Sequence, residues 1–465
     1  MGGVPSSGGK PAEAGSSQGG AAVHAGGIGG ANTGGSSGGQ AAAGASSGGV
    51  SAAGSNAAAG VASAGGVTSS GGVGGGLAGS GGTSSGSGGS SGAGLQVGGA
   101  GGAGGAPLSG DACSAVDVGA GDMHSCALAG DGAVYCWGSN AEGQVGAGAA
   151  SRQLTPRVVT AAGKDNVDLL VGHHVTCVKK TSGSVQCWGT FDDGAAFKNV
   201  TEPRAFDVFG SDWSQMIVDT SACVIRKSDS SVACWGYENA AATTIAGFGT
   251  DVVAIDLEFR TVCVVKRGGT VMCKTDNGAP RTIAGVSDAV SVGLRRDHNG
   301  LGEPEDVMAV GADGRGWYSH DDSAFRQMNL AGQQVARYNA QHHLVGGISR
   351  TGRVMLWHSA ICGGFGDNNP PEDNGSTAGD RRNYTADAPA VPTGFEMGAT
   401  GELALGHEHV CVIRAADSSV YCWGRNVEGQ VGNGTRAIEC NVGVGSHNPG
   451  PDGNQMTPYR VKLCP

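Results

Sequence analysis

A cysteine pair of fixed internal spacing recurs along this chain, and it constrains the fold more than any other feature. Cys126 and Cys136 lie ten residues apart, as do Cys177 and Cys187, and Cys263 and Cys273. Cys223 and Cys234 lie eleven apart, as do Cys411 and Cys422. Four of the second members open the string Cys-Trp-Gly, at Cys136, Cys187, Cys234 and Cys422. A local unit repeated at intervals along a chain is the mark of a repeat architecture.

One unit shows what the spacing means. In Cys126-Ala127-Leu128-Ala129-Gly130-Asp131-Gly132-Ala133-Val134-Tyr135-Cys136, small and apolar residues alternate on either side of Gly-Asp-Gly. That pattern predicts strand, tight turn, strand. Folded about Asp131, the hairpin sets Cys126 opposite Cys136 and Leu128 opposite Val134. Directly opposed residues of an antiparallel pair have Cα atoms roughly 4.5–5.5 Å apart, which suits a disulfide. The alternative is zinc, but zinc ligand pairs normally come two to four residues apart with partners close by. The longer spacing across a hairpin favours disulfides.

Two further segments keep the frame without the cysteines. Met308 through Tyr318 places those two residues at the paired positions, and Val345 through Leu356, before Trp357, does the same. The count is seven units, beginning near residues 118, 169, 215, 255, 300, 337 and 403. Other strand signals surround each hairpin, such as Val167–Gly172 and Val252–Leu257 upstream. Thr155-Pro156-Arg157-Val158-Val159 follows one unit, and Thr457–Leu463 repeats its pattern at the chain end. Four short strands per period and no convincing helix predict propeller blades and an all-β fold.

Composition divides the chain near residue 110. Residues 1–110 contain no Cys, Trp, Tyr or Phe, and their only charges are Lys10 and Glu13. They are almost wholly Gly, Ala and Ser, with too little apolar side chain to offset the entropy of ordering a backbone. We expect residues 1–110 to be a disordered low-complexity tether and residues 111–465 to be the propeller. Lys10 and Glu13 cancel, so the net charge of −11 belongs to residues 111–465. That disfavours a nucleic-acid partner, which calls for a basic face.

No apolar run reaches transmembrane length, and Met1-Gly2-Gly3-Val4-Pro5 has no features of a signal peptide. The cysteine usage nevertheless points to an oxidising compartment. A start site placed too far downstream would reconcile the two. The expectation is an extracellular or cell-surface protein, in periplasm or on the outer face, touching a membrane only through an anchor upstream.

The units resemble the regulator-of-chromosome-condensation repeat, most closely at both ends of the cysteine-bearing region. Gly121-x-x-His124 runs on to Asp131-Gly132-x-Val134-Tyr135-x-Trp137-Gly138-Ser139-Asn140-x-x-Gly143-Gln144-Val145-Gly146. Gly406-x-x-His409 runs on to Val420-Tyr421-x-Trp423-Gly424-Arg425-Asn426-x-x-Gly429-Gln430-Val431-Gly432. The resemblance covers about residues 113–465 and weakens in the middle, where Cys273-Lys274-Thr275 lacks Trp-Gly. It implies a seven-bladed propeller, of which the cysteine pairs suggest a cysteine-rich exported variant of bacterial type. It further implies that the strand through Leu463 packs beside the opening strand at Val116–Gly119, completing one blade from both chain ends. Cys113 and Cys464 then meet at the seam as a disulfide, leaving Cys362 and Cys440 to pair across consecutive blades.

Candidate functional residues are few. His124 and His409 share one slot, and their repetition there favours hydrogen bonding between strands within the blade. His173-His174 and His342-His343 lie near that slot, and adjacent histidines on a strand point to opposite faces, so neither pair chelates one metal well. Asp131-Gly132 and Asp313-Gly314 have turn composition. Asp367 through Asn374 is acidic but lacks the ordered ligand spacing of a calcium loop. The longest insertion, about 360–397, carries Arg381, Arg382 and Tyr384, a composition suited to a partner-binding loop. No nucleophile elbow, zinc-helix or phosphate-loop motif is present, so no catalytic residue, cofactor or metal is expected.

The reading is a non-enzymatic, monomeric binding scaffold, secreted or surface-tethered, docking a protein or glycan on a propeller rim. Three rivals differ in kind. The family resemblance implies a guanine-nucleotide exchange factor for a small GTPase. An inhibitor of a secreted hydrolase would need an aromatic cluster on one rim. An enzyme would need several carboxylates or histidines converging at the central channel.

Overall fold

The computed structural model describes residues 113–146, 148, 151–191, 197–237, 240–296, 304–320, 324–341, 344–357, 395, 401–437 and 455–464. The tether expected over residues 1–110, Cys362, Cys440, His342, His343, and the Arg381, Arg382 and Tyr384 loop lie outside them, as does the acidic run from Asp367. The chain is an all-β, seven-bladed propeller. Its one helical element among the described residues is a 3-10 turn at Thr160–Ala162, and no helix there is long and apolar enough to cross a membrane.

Each blade is an antiparallel meander whose strands follow chain order. Blade 1 comprises Ala115–Ala120, His124–Ala129, Val134–Ser139 and Arg152–Val158. Blade 2 comprises Asn166–Val171, Val175–Lys180, Val185–Gly189 and Val200–Ala205. Blade 3 comprises Gln215–Val218, Ala222–Ile225, Val232–Trp235 and Thr243–Thr244. Blade 4 comprises Val252–Glu258, Thr261–Lys266, Val271–Thr275 and Arg281–Ile283. Blade 5 comprises Ala289–Arg296, Pro304–Gly311, Gly316–His320 and Arg326–Gln327. Blade 6 shows Val335–Gln341, Leu344–Ser349 and Val354–Trp357 among the described residues. Blade 7 comprises Glu402–Leu405, His409–Arg414, Ser419–Gly424 and Gln455–Arg460. The first strands of successive blades lie side by side around the axis, the seventh against the first.

Burial explains the ring. A single blade has two apolar faces and covers neither, so stability comes from stacking neighbours. Seven apolar clusters fill the seven blade interfaces. Leu128, Val134 and Val159 of blade 1, for example, meet Leu169, Val171 and Trp188 of blade 2. Ala115, Val118 and Trp137 of blade 1 meet Ile413, Val420, Val461 and Leu463 of blade 7.

The hairpin register follows the sequence reading at five blades. Cys126 opposes Cys136, and the four sister pairs are likewise directly opposed. All five are disulfides with Cα atoms 4.0–4.2 Å apart. Such separations mark the non-hydrogen-bonded pairs of a ladder, where opposed side chains approach most closely. Met308 opposes Tyr318 in blade 5, as expected.

Blade 6 departs by one residue: Gly346, not Val345, faces Leu356, while Val345 faces Trp357. A Cβ on Gly346 would meet Leu356 Cδ2 at 3.0 Å, so the leucine fills the space a bridge takes elsewhere. The fifth unit starts at Ala289 rather than near 300, since its first strand is Ala289–Arg296.

Ring closure also departs from expectation. The terminal strand Gln455–Arg460 pairs with Ser419–Gly424 as the outer strand of blade 7 and does not join blade 1. Among the described residues no blade draws strands from both chain ends. The seam is closed by side-chain contacts, by Ala115 N–H donating to Ser418 O and Gly434 N–H to Leu154 O, and by the Cys113–Cys464 disulfide.

Candidate functional site

The repeat motif itself is a device for joining blades. His409 of blade 7 donates from Nε2 to Ser125 Oγ of blade 1 at 2.9 Å, and Ser125 Oγ donates to Gln430 O of blade 7 at 2.9 Å. One interface on, His124 Nε2 donates to Thr176 Oγ1 at 3.0 Å, which donates to Gln144 O at 2.8 Å. Trp137 Nε1 donates to the same Gln430 carbonyl at 2.8 Å. The histidines therefore bond between blades, not between strands within a blade as expected.

The glycines of the motif follow from this. A Cβ on Gly121 would lie 2.3 Å from His124 Cε1, and one on Gly406 would lie 2.0 Å from His409 Cε1. The Gly of Cys-Trp-Gly takes a left-handed backbone at Gly138, Gly189 and Gly424, with φ of 101°, 100° and 103°, which other residues adopt only at a cost.

Both motif histidines are buried, and burial pulls their pKa values down from 6.5 to about 3. Their unfolded-state pKa stays near 6.5, so between those values the unfolded chain binds more protons. Their stabilisation is present above about pH 6.5 and is lost as pH falls. Each histidine should add about 1.4 kcal/mol per pH unit to that loss. Urea unfolding at stepped pH between 7 and 4 measures the slope, and His124→Asn should remove about half of it.

A different group of residues converges on the channel rim. Strands alternate in direction, so the turns between first and second strands of all blades lie on one rim, with the loops between third and fourth strands. Those turns carry Asp122 in blade 1, His173 and His174 in blade 2, Asp219 in blade 3 and Glu408 in blade 7, and Glu258 ends the first strand of blade 4 beside its turn. The opposite rim carries the hairpin turns, where Asp131 and Asp313 accept the backbone N–H two residues on. Those aspartates are turn residues, as the sequence indicates.

On the first rim, His173 Nε2 lies 3.2 Å from Asp219 Oδ1, 3.3 Å from Glu258 Oε1 and 3.8 Å from Asp122 Oδ1. His173, Asp219 and Glu258 are buried, and their three facing atoms all lie within 4.8 Å of one another. His174 points elsewhere and is 31 % exposed, with Nε2 3.6 Å from Asp122 Oδ2. Burial pulls the His173 imidazole down, but the carboxylates of Asp122, Asp219 and Glu258 outweigh it and hold the pKa well above the usual value. Burial pushes the Asp219 carboxyl up, against the pull of His173.

Blade 5 adds a second charged group. Asp306 Oδ2 accepts from Arg295 Nε at 2.7 Å, and Asp306 Oδ1 lies 2.9 Å from His320 Nδ1. Burial would raise the Asp306 pKa, but Arg295 and His320 outweigh it and hold the carboxyl low.

The rim cluster draws on four blades, and sequence reasoning missed it. The argument from adjacent histidines holds for His173 and His174, yet His173 finds its neighbours in other repeats. Stacking the units at the turn between first and second strands would have aligned Asp122, His173, Asp219 and Glu258. The aromatic cluster of Phe191, Phe206, Phe209, Trp213 and Trp235 lies buried between blades 2 and 3, not on a rim.

Comparison with known proteins fits this geometry. A family model for the Regulator of chromosome condensation (RCC1) repeat matches residues 115–144 and 402–430, and a second of the same description matches 131–178. These segments lie in blades 1, 2 and 7, where the motif is most complete. The yeast RCC1 (Prp20) bound to Kap60 is similar in fold, with 14 % identity and a TM-score of 0.55 over 70 % of this chain and 83 % of that one. Prp20p from Saccharomyces cerevisiae, described with its binding to Gsp1p and histones, aligns at 13 % identity and a TM-score of 0.54, covering 76 % and 88 %. Human WBSCR16 aligns at 14 % identity and a TM-score of 0.50, covering 71 % and 94 %. The chain therefore carries repeats of the Regulator of chromosome condensation (RCC1) family, folded as a seven-bladed β-propeller.

Proposed function

We propose that this protein is a non-enzymatic binding scaffold of an oxidising compartment, extracellular or on a cell surface, that docks a protein on the rim bearing His174 and Asp122. The observation that carries the reading is the set of six disulfides. Five recur at one slot of the blade, and cytosolic thiols would be kept reduced. The Gly/Ala/Ser-rich first 110 residues act as a tether that holds the propeller, residues 111–465, away from an anchoring surface. A protein partner is favoured over a glycan because the partners named for the yeast relatives, Kap60, Gsp1p and histones, are proteins. Burial of the Phe191, Phe206, Phe209, Trp213 and Trp235 cluster gives the hydrolase-inhibitor reading no support, whereas the convergence of Asp122, His173, Asp219 and Glu258 makes the enzyme reading the rival to test.

Photo-crosslinking tests the rim. A crosslinker at His174 should trap one protein from the surface or secreted fraction, while one at Ser182, on the opposite rim, should not. Adducts from Ser182 alone would overturn the choice of rim. Accelerated release of guanine nucleotide from a small GTPase would favour the exchange-factor reading.

A further inference from the structure

We propose that His173, Asp219 and Glu258 form a binding site for one divalent transition-metal ion, zinc or a close analogue, with Asp122 completing the sphere from blade 1. Three observations carry it.

The first is distance. Ligands bound to zinc at about 2.0–2.1 Å in tetrahedral geometry lie about 3.3 Å from one another. His173 Nε2 is 3.2 Å from Asp219 Oδ1 and 3.3 Å from Glu258 Oε1. A charge-assisted hydrogen bond from an imidazolium runs shorter, about 2.7–2.9 Å. One N–H also points in one direction, and it cannot serve three carboxylate oxygens arrayed around it. A metal ion can.

The second is the state of the carboxylates. Asp219 and Glu258 are 3 % and 1 % exposed, and apart from the His173 imidazole no well-aligned donor meets Asp219 Oδ1 or Glu258 Oε1. Buried carboxylate oxygens normally have such a donor. Three carboxylates beside a singly charged imidazolium leave two net negative charges in a largely buried site. A dication with neutral imidazole leaves one.

The third is the support around the ligands. Asp219 uses its other oxygen, Oδ2, to accept the Phe259 N–H at 2.6 Å. Thr220 Oγ1 donates to Phe259 O at 3.0 Å, so blade 3 clamps the turn that presents Glu258. Phe259 takes a left-handed backbone, φ 51°, which is costly for a bulky residue and marks an over-determined turn. Asp122 N–H donates to His173 O at 3.1 Å, fixing the fourth carboxylate beside the imidazole. Second contacts of this kind orient ligands before a metal arrives. A donor set of one imidazole and carboxylates suits zinc or manganese over copper(I), which selects thiolates. Asp122 and His174 are partly exposed, giving the ion an entry path from the rim.

The test uses the full chain, stripped with a chelator and titrated with zinc by calorimetry. The expected result is one site of micromolar or tighter affinity, weakened at least 100-fold by His173→Gln and by Asp219→Asn. His174→Ala should leave it within a few fold. Cobalt(II) substitution of the unaltered chain is a readout independent of variant folding. The expected spectrum is that of a four-coordinate ion without thiolate charge transfer. Failure of the unaltered chain to bind zinc would overturn the proposal. So would a site that both variants leave intact, or a six-coordinate cobalt spectrum.

Discussion

Replacing Cys113 and Cys464 together by serine is expected to lower the unfolding free energy by on the order of 5 kcal/mol, more than loss of any hairpin bridge. In the chain-entropy description, stabilisation grows with the loop a bridge closes. The seam bridge spans 351 residues, whereas the hairpin bridges span 10 or 11 and are worth about 3 kcal/mol each. The seam also needs its bridge more. No described strand crosses it, and its described backbone hydrogen bonds are Ala115 N–H to Ser418 O and Gly434 N–H to Leu154 O. Urea unfolding of this double variant beside Cys126→Ser/Cys136→Ser makes the comparison. Equal losses would mean that blade stacking alone, through Trp137 and its neighbours, closes the ring.

The next largest effect is expected at Asp306. Arg295 is buried, and Asp306 Oδ2 meets both its Nε and its Nη2, at 2.7 and 2.6 Å. Asp306→Ala leaves a buried guanidinium without that carboxylate and should cost about 3–5 kcal/mol. Removing both charges as Arg295→Met/Asp306→Leu should cost much less, because an apolar pair of similar volume avoids the desolvation penalty altogether. The double variant should therefore be more stable than the single one. A single variant within about 1 kcal/mol of the parent would show that the guanidinium reaches water, against its observed burial.

The fold was legible because disulfides impose a register that side-chain alternation alone leaves loose. Cys126 and Cys136 fix which residues face each other, and Asp131-Gly132 fixes the turn. Of the two units without cysteines, blade 5 pairs Met308 with Tyr318 as expected, while blade 6 is one residue off. Gly346 and Gly347 carry no side chain to mark a face, so Val345 drew the pairing that belongs to its neighbour. The seam was misread for another reason. The pattern of Thr457–Leu463 matches Thr155–Val159, part of which lies in the outer strand of blade 1, and the structure gives it the same outer place in blade 7. The local signal identified the strand, while the family resemblance placed it in the wrong blade.

The candidate metal site was invisible for a physical reason. Asp122, His173, Asp219 and Glu258 come from four repeats and meet only when blades 1 to 4 stack around the axis, so no local motif joins them. The motif histidines were visible, but their partners Ser125 and Thr176 are ordinary residues that become meaningful only across a blade interface.

The central claim is that the repeated hairpin bridges are formed in the working protein, which sets its compartment and its class of partner. Non-reducing peptide mass spectrometry on protein from its native source tests that claim most directly. Linked peptides for Cys126–Cys136 and the four sister pairs, together with Cys113–Cys464, are the predicted result. Free thiols at those positions would contradict it and would return an intracellular partner, with the exchange-factor reading, to first place.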